Sequence, residues 1–235
     1  MKQKFKTLLL SLIALTAITV SSCKKDNEEP EIIKEGIERS ELWITEVTAP
    51  APIDAHGDHF HGLSNLVDGE KTIVKFDADG NATANGHLHL EADAVYRMEL
   101  KSWDYTGKEV QQTFIANKAT ADNFKAFLVG GNLVLNADSQ DESGAIFQPR
   151  EATYTDGTVV TGQYETTGLL SYLIFGHDNE GPTKKVTYVL RKLNKDVKAS
   201  ITRSDWNRDD YATKFAGEDV LKLKFEIHIE EGHGH

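Results

Sequence analysis

The chain has few of the residues on which several classes of protein depend. It has one cysteine and five prolines among 235 residues, and its 26 basic residues are outnumbered by 37 acidic ones. A single cysteine excludes a disulfide framework, a cysteine-rich zinc module and an iron–sulfur cluster. The net charge of −11 argues against nucleic acid as a partner, because binding to phosphates needs a surplus of Lys and Arg.

Only one long apolar run is present, and it lies at the start of the chain. Three lysines within the first six residues precede an apolar run over residues 8–20. A run this short after a basic start predicts a secretory signal peptide over residues 1–22. Its end, Val20-Ser21-Ser22-Cys23, resembles the bacterial lipobox, which implies cleavage before Cys23 and lipidation of that residue. Several acyl chains on one residue would anchor the protein stably in a membrane.

The mature chain would begin with an acidic, polar segment. Loss of the signal peptide leaves 23 basic against 37 acidic residues, a net charge of −14. Residues 24–31 have no apolar period, and we predict a flexible tether over residues 23–40. Lys24 resembles a signal for outer-membrane sorting, and the acidic run after it resembles the signal that sends some lipoproteins to the cell surface. We therefore predict a lipid-anchored outer-membrane protein, facing the cell surface or, as the alternative, the periplasm.

Short alternating runs separated by turn residues make up the rest of the chain. In residues 95–103, for example, Tyr96, Met98 and Leu100 alternate with charged residues, as in a strand that buries one face. About ten such runs, one of them over residues 110–115, predict a single all-β domain over residues 41–229. Its expected architecture is an antiparallel β-sandwich, followed by a histidine-rich tail over residues 230–235.

Residues 119–127 have an alternative to a strand along their whole length: they can begin with a short helix capped by Thr120.

Three arrangements of strands and turns carry a likeness to a known group of proteins. They are the strand and turn at residues 76–81, the aliphatic and tyrosine-containing strands at 90–100, and the closing pair at 186–191 and 219–229. Together they resemble small β-rich lipoproteins encoded beside TonB-dependent outer-membrane receptors. The resemblance implies a binding protein with such a receptor as its partner, and not an enzyme. It implies no ligand residues.

Seven of the nine histidines are crowded into three short segments. These are residues 54–62, with His56, His59 and His61, residues 86–91, with His87 and His89, and residues 230–235, with His233 and His235. Crowding of this kind in a chain of ordinary composition favours metal binding over chance. We interpret the remaining two, His177 and His228, as surface residues without a role in binding.

The spacing of His87 and His89 suits a shared cation. Residues i and i+2 of a strand point to the same side, about 7 Å apart at Cα, so both imidazoles can reach one metal. Glu91 is next on that side, whereas Leu88 and Leu90 turn to the core. The rigid strand would lower the ordering cost of binding.

From these patterns we predict one shared pocket that binds a divalent transition metal, zinc first, with copper and nickel as alternatives. Its predicted ligands are His56, His59, His61, His87 and His89, and the candidates for further ligands are Asp58, Glu91, His233 and His235. Metal binding would weaken as the pH falls through the ordinary histidine pKa of about 6.5, because a protonated imidazole cannot bind a metal.

The predicted function is capture or buffering of this metal for a TonB-dependent receptor. Three alternatives stay open. Two histidines could ligate heme iron, an open histidine–metal site could activate water in an enzyme, or the histidines could be solvated residues of a structural lipoprotein.

Overall fold

Alternating apolar residues bring two β-sheets face to face, which confirms the predicted sandwich. The computed structural model describes residues 34–162 and 165–232. Within these ranges no helix is both long enough and apolar enough to cross a membrane. The predicted signal peptide, Cys23, the first part of the tether, His233 and His235 lie outside the described residues.

Twelve strands are present in the described residues. In chain order they are β1 (Ile37–Thr48), β2 (Asp54–His56), β3 (His59–His61), β4 (Val67–Phe76), β5 (Ala82–Ala84), β6 (His87–Glu91), β7 (Val95–Asp104), β8 (Phe124–Gly130), β9 (Ala145–Pro149), β10 (Leu170–Phe175), β11 (Lys184–Leu193) and β12 (Gly217–Glu230). The six-stranded sheet has the order β5-β4-β1-β7-β10-β9, and the four-stranded sheet has the order β6-β12-β11-β8. Strands β2 and β3 form a separate hairpin.

Strand pairing is antiparallel except between β6 and β12, which run parallel. Strand β1 begins at Ile37, which pairs with Asp104 of β7. Residues 37–40, predicted as the end of the tether, therefore belong to the six-stranded sheet.

The main core lies between the two sheets. Leu42 and Met98 of the six-stranded sheet and Tyr188 and Leu223 of the four-stranded sheet are almost completely buried there. Burial of this apolar surface is the main favourable contribution to folding.

Each sheet also carries a smaller apolar cluster on its outer side. Phe60 of β3 covers the outer side of the six-stranded sheet, where it packs with Val47, Val95, Ile146 and Ile174. On the four-stranded sheet, the segment over residues 197–215 covers Phe127 of β8 and Val189 of β11. The outward side chains of the neighbouring strands β12 and β6 stay largely exposed.

Two local predictions were wrong. Residues 110–115 do not form a strand, because Gln111–Ile115 coils into a 3₁₀ helix. The buried Gln111 side chain accepts a hydrogen bond from the Ser102 backbone N–H at 3.1 Å, so this segment contacts β7 through a side chain. A short helix does form nearby, at Lys118–Ala121, but its cap is the Asn117 side chain, which accepts from the Thr120 N–H.

The orientation of β6 can be tested with two substitutions on adjacent residues. Leu88→Ala removes a side chain buried in the main core, and we expect it to lower the free energy of unfolding by about 2–5 kcal/mol. His87→Ala, on the exposed side of the same strand, should change it by less than about 0.5 kcal/mol. Urea denaturation followed by circular dichroism measures both, and a larger loss for His87→Ala would contradict the orientation.

Candidate metal centres

Strands β6 and β12 bring three imidazoles together on the outer side of the four-stranded sheet. The parallel register places His89 beside His228 and His87 beside Glu226. Side chains at adjacent positions of neighbouring strands point to the same side, as do residues i and i+2 of one strand. We call His87, His89 and His228 the strand group.

The spacing of the strand group is close to that of a metal ligand set. The ring centroids of His87 and His89 are 4.9 Å apart, those of His89 and His228 are 5.6 Å apart, and those of His87 and His228 are 6.4 Å apart. With metal–nitrogen bonds of about 2.0–2.1 Å, a tetrahedral metal holds two imidazole centroids roughly 5 Å apart. Small side-chain rotations would therefore let the three rings face one ion.

Two glutamates of β12 hold two of these imidazoles. Glu226 Oε2 lies 3.2 Å from His87 Nδ1, and Glu230 Oε1 lies 2.6 Å from His89 Nδ1. A carboxylate at Nδ1 favours the tautomer that has its proton on this nitrogen, which leaves Nε2 with a lone pair for a metal. The two glutamates thus orient these two imidazoles.

The β2–β3 hairpin holds a second group of three imidazoles. His56 pairs with His59 and Asp54 pairs with His61, so these four side chains lie on one side of the hairpin. We call His56, His59 and His61 the hairpin group. Its ring centroids are 6.3 Å apart for His56 and His59, 6.4 Å for His56 and His61, and 4.5 Å for His59 and His61.

Carboxylates contact two imidazoles of the hairpin group as well. Glu142 Oε1 lies 2.7 Å from His56 Nδ1, and Asp58 Oδ1 lies 3.0 Å from His59 Nδ1. Asp58 also pairs with Arg203, at 3.4 Å. As placed, Asp58 orients His59 and neutralises a nearby cation rather than standing as an extra ligand.

The predicted convergence of the two groups in one pocket is wrong. Leu88 packs in the core between the sheets, so its neighbours His87 and His89 point outward from the four-stranded sheet. Phe60, between His59 and His61, packs on the outer side of the six-stranded sheet. The thickness of the sandwich therefore separates the two groups, and they cannot share an ion.

Neither group is closed around a metal position. In the part of the chain that the structure describes, no three or more His, Cys, Asp and Glu side chains are arranged so that they could hold a metal ion. The imidazoles have room to turn, since the side chains of His87 and His89 are 42% and 58% exposed. Metal binding at either group would require such rotations.

The other predicted residues take separate positions. Glu91 shares the side of β6 that carries His87, as predicted, and its backbone N–H donates to the Tyr96 hydroxyl at 2.9 Å. His177 lies apart, between Glu180 and Asp93, at 2.5 and 2.7 Å. The hydrogen bond that His177 donates to Glu180, and then the charge of Asp93, raise the pKa of His177.

Sequence reasoning missed several of these partners. His228 is predicted to be a surface residue without a role in binding, but it lies against both histidines of β6. The alternation Glu226-x-His228-x-Glu230 was a visible signal for one polar side of a strand. That this strand lies beside β6 was not visible, because the two are far apart in the chain. Nothing in the sequence indicated that Glu142 would contact a histidine.

The two carboxylates beside His177 predict a specific titration behaviour. Because the folded-state pKa is raised, the interaction favours the folded state below the ordinary pKa of about 6.5 and is lost as the pH rises through the pKa of His177. Glu180→Gln should lower that pKa, measured by NMR titration of the imidazole Cε1 proton. Glu226→Gln, on β12, should leave it unchanged. An unaltered pKa in Glu180→Gln would contradict the assignment.

Comparisons with protein-family models, with curated proteins and with solved structures give no match to this chain. What the two histidine groups can do is therefore inferred from their own geometry and chemistry.

Proposed function

We propose that the protein captures a divalent transition metal, zinc first, at the strand group. One observation carries this proposal: His87 and His89 each have a carboxylate at Nδ1, and His228 lies next to both on the adjoining strand. Imidazoles oriented by carboxylates in this way are the usual form of histidine ligands to zinc.

The open surroundings of the strand group suit capture and release. Three imidazoles leave the fourth position of a tetrahedral metal free for water or for a ligand from a partner. The backbone of both strands is held in the sheet, so little ordering beyond the side chains is needed. Copper and nickel share the preference for imidazole, and their relative affinities would follow from the geometry that the site adopts.

The charge around the strand group supports a cation rather than an anion. Glu226 and Glu230 adjoin the imidazoles directly, and Glu91 lies next to Glu230 in the register. Lys185 of β11 pairs with Glu226 at 3.9 Å, and Lys224 lies two residues before Glu226 on the same side of β12. The charges in contact with the rings are nevertheless those of the two glutamates, although salt would screen longer-range attraction beyond roughly 8–10 Å.

The cellular role in this proposal rests on the start of the sequence and on the resemblance described above. A lipid on Cys23 would hold the domain at the outer membrane, and residues 24–33 would separate it from the lipid. A site that faces solvent on a sheet surface would be accessible to a TonB-dependent receptor. In this role the protein would concentrate metal beside the receptor and deliver it.

The proposal is tested by zinc titration of the full-length protein in detergent at pH 7.5, using isothermal calorimetry. We expect His87→Ala with His89→Ala to weaken zinc binding at this site more than 100-fold. Glu226→Gln with Glu230→Gln should weaken it by about 10–100-fold, because the imidazoles lose their orienting partners. Lys222→Ala, an exposed substitution on the same strand, is the matched control and should have no effect.

Two results would contradict the proposal. One is the absence of zinc, copper or nickel uptake at micromolar metal in native mass spectrometry. The other is unchanged zinc affinity in the doubly substituted histidine variant. A Soret shift on adding hemin that depends on the same histidines would instead favour the heme alternative.

A further inference from the structure

The hairpin that carries the second histidine group belongs to neither main sheet. Side chains from elsewhere hold its backbone. The Phe60 N–H donates to the Gln148 side chain at 2.9 Å, and the Asn136 side chain donates to the Gly57 carbonyl at 3.1 Å. The hairpin is thus a discrete unit whose position depends on a few polar contacts and on burial of the Phe60 ring.

One of these contacts joins the hairpin to the loop over residues 139–144. Glu142 Oε1 lies 2.7 Å from His56 Nδ1 and also accepts a hydrogen bond from the Gly57 N–H at 3.3 Å. The backbone of Glu142 has a φ of 61°, in the left-handed region that non-glycine residues seldom adopt. A single carboxylate therefore contacts both an imidazole of the hairpin group and the turn of the hairpin.

We propose that the hairpin group is a second metal site, in which His56, His59 and His61 bind a divalent transition metal and the ion fastens the hairpin to the 139–144 loop through Glu142. This inference relies on the proposed function only for the class of metal. Glu142 acts here as a positioning residue, since its contact with Nδ1 leaves Nε2 of His56 to the ion.

The electrostatics of the hairpin group are consistent with a cation. Glu142 contacts His56, Asp58 contacts His59, and the charge of Arg203 is paired with Asp58. Exposure differs within the group, with the side chain of His56 61% exposed and that of His59 28% exposed. Rotation of His56 and His61 towards His59 is therefore the movement that would close the site.

Coupling to the loop follows from the position of Glu142. A metal on Nε2 makes the Nδ1 proton of the same imidazole a stronger donor, so the contact between His56 and Glu142 strengthens when the ion binds. By reciprocity, weakening that contact lowers metal affinity. The ion thus orders a loop that provides no ligand of its own.

Hydrogen–deuterium exchange of the full-length protein tests this inference, with and without saturating zinc chloride. We use His87→Ala/His89→Ala/His228→Ala as the background, so that the strand group cannot respond. Zinc should slow amide exchange at least tenfold in residues 54–61 and in residues 139–144. Adding His61→Ala should abolish both effects, because it removes a ligand and leaves the Glu142 contacts in place.

Glu142→Gln separates the coupling from binding itself. It should weaken zinc binding by about 10–100-fold and, at saturating zinc, remove the protection of residues 139–144 while keeping that of residues 54–61. Asp141→Asn is the matched control, because its carboxylate contacts Ser139 within the same loop. Without zinc, all variants should exchange as the background does, which shows that the hairpin is still folded.

The outcomes distinguish this inference from the proposed function. If His56→Ala/His59→Ala/His61→Ala still binds zinc at the strand group but the background variant shows no protection, the second site is refuted alone. If the background variant binds zinc but His56→Ala/His59→Ala/His61→Ala does not, the strand-group proposal fails and the second site stands. Protection of residues 54–61 without any effect on residues 139–144 in the background would overturn the role of Glu142.

Discussion

The parallel ladder between β6 and β12 is the interaction on which the candidate chemistry of this protein depends. Backbone bonds from Glu226 N–H to the Gly86 carbonyl, at 2.8 Å, and from Ala92 N–H to the Glu230 carbonyl, at 2.9 Å, hold the two strands in register. This register places His89 beside His228 and His87 beside Glu226. A slip of one residue would turn the histidines into the core, so burial of the alternating leucines and isoleucines keeps the polar side outward.

The two histidine groups make the same kind of contacts but lie on different parts of the fold. In each, two imidazoles have a carboxylate at Nδ1 and a third lies beside them. The strand group lies on two strands whose backbones are held in the four-stranded sheet. The hairpin group lies on a small unit that side chains hold in place, so its backbone has fewer hydrogen bonds to the rest of the domain. This difference in rigidity is the reason to expect different responses to metal.

Much of the fold could be predicted because its strands alternate in a simple way. The orientation of β6 and β7 follows from leucine, methionine and tyrosine at every second residue, and the structure confirms it. The hairpin β2–β3 is predicted only as a loop, because each of its strands turns a single apolar residue to the sheet, Ala55 in β2 and Phe60 in β3. Residues 110–115 look like a strand by composition, yet a side-chain contact of Gln111 overrides that local preference.

By itself the sequence determined the all-β class, the outward direction of His87 and His89, and the crowding of histidines into short segments. These properties are local, because a strand alternates with a period of two residues. Tertiary structure alone decided which strand lies beside β6, and hence that His228 and two glutamates join the strand group. It also decided that the hairpin packs on the opposite side of the sandwich, since contacts between distant residues, and not any local period, select the surface that Phe60 covers.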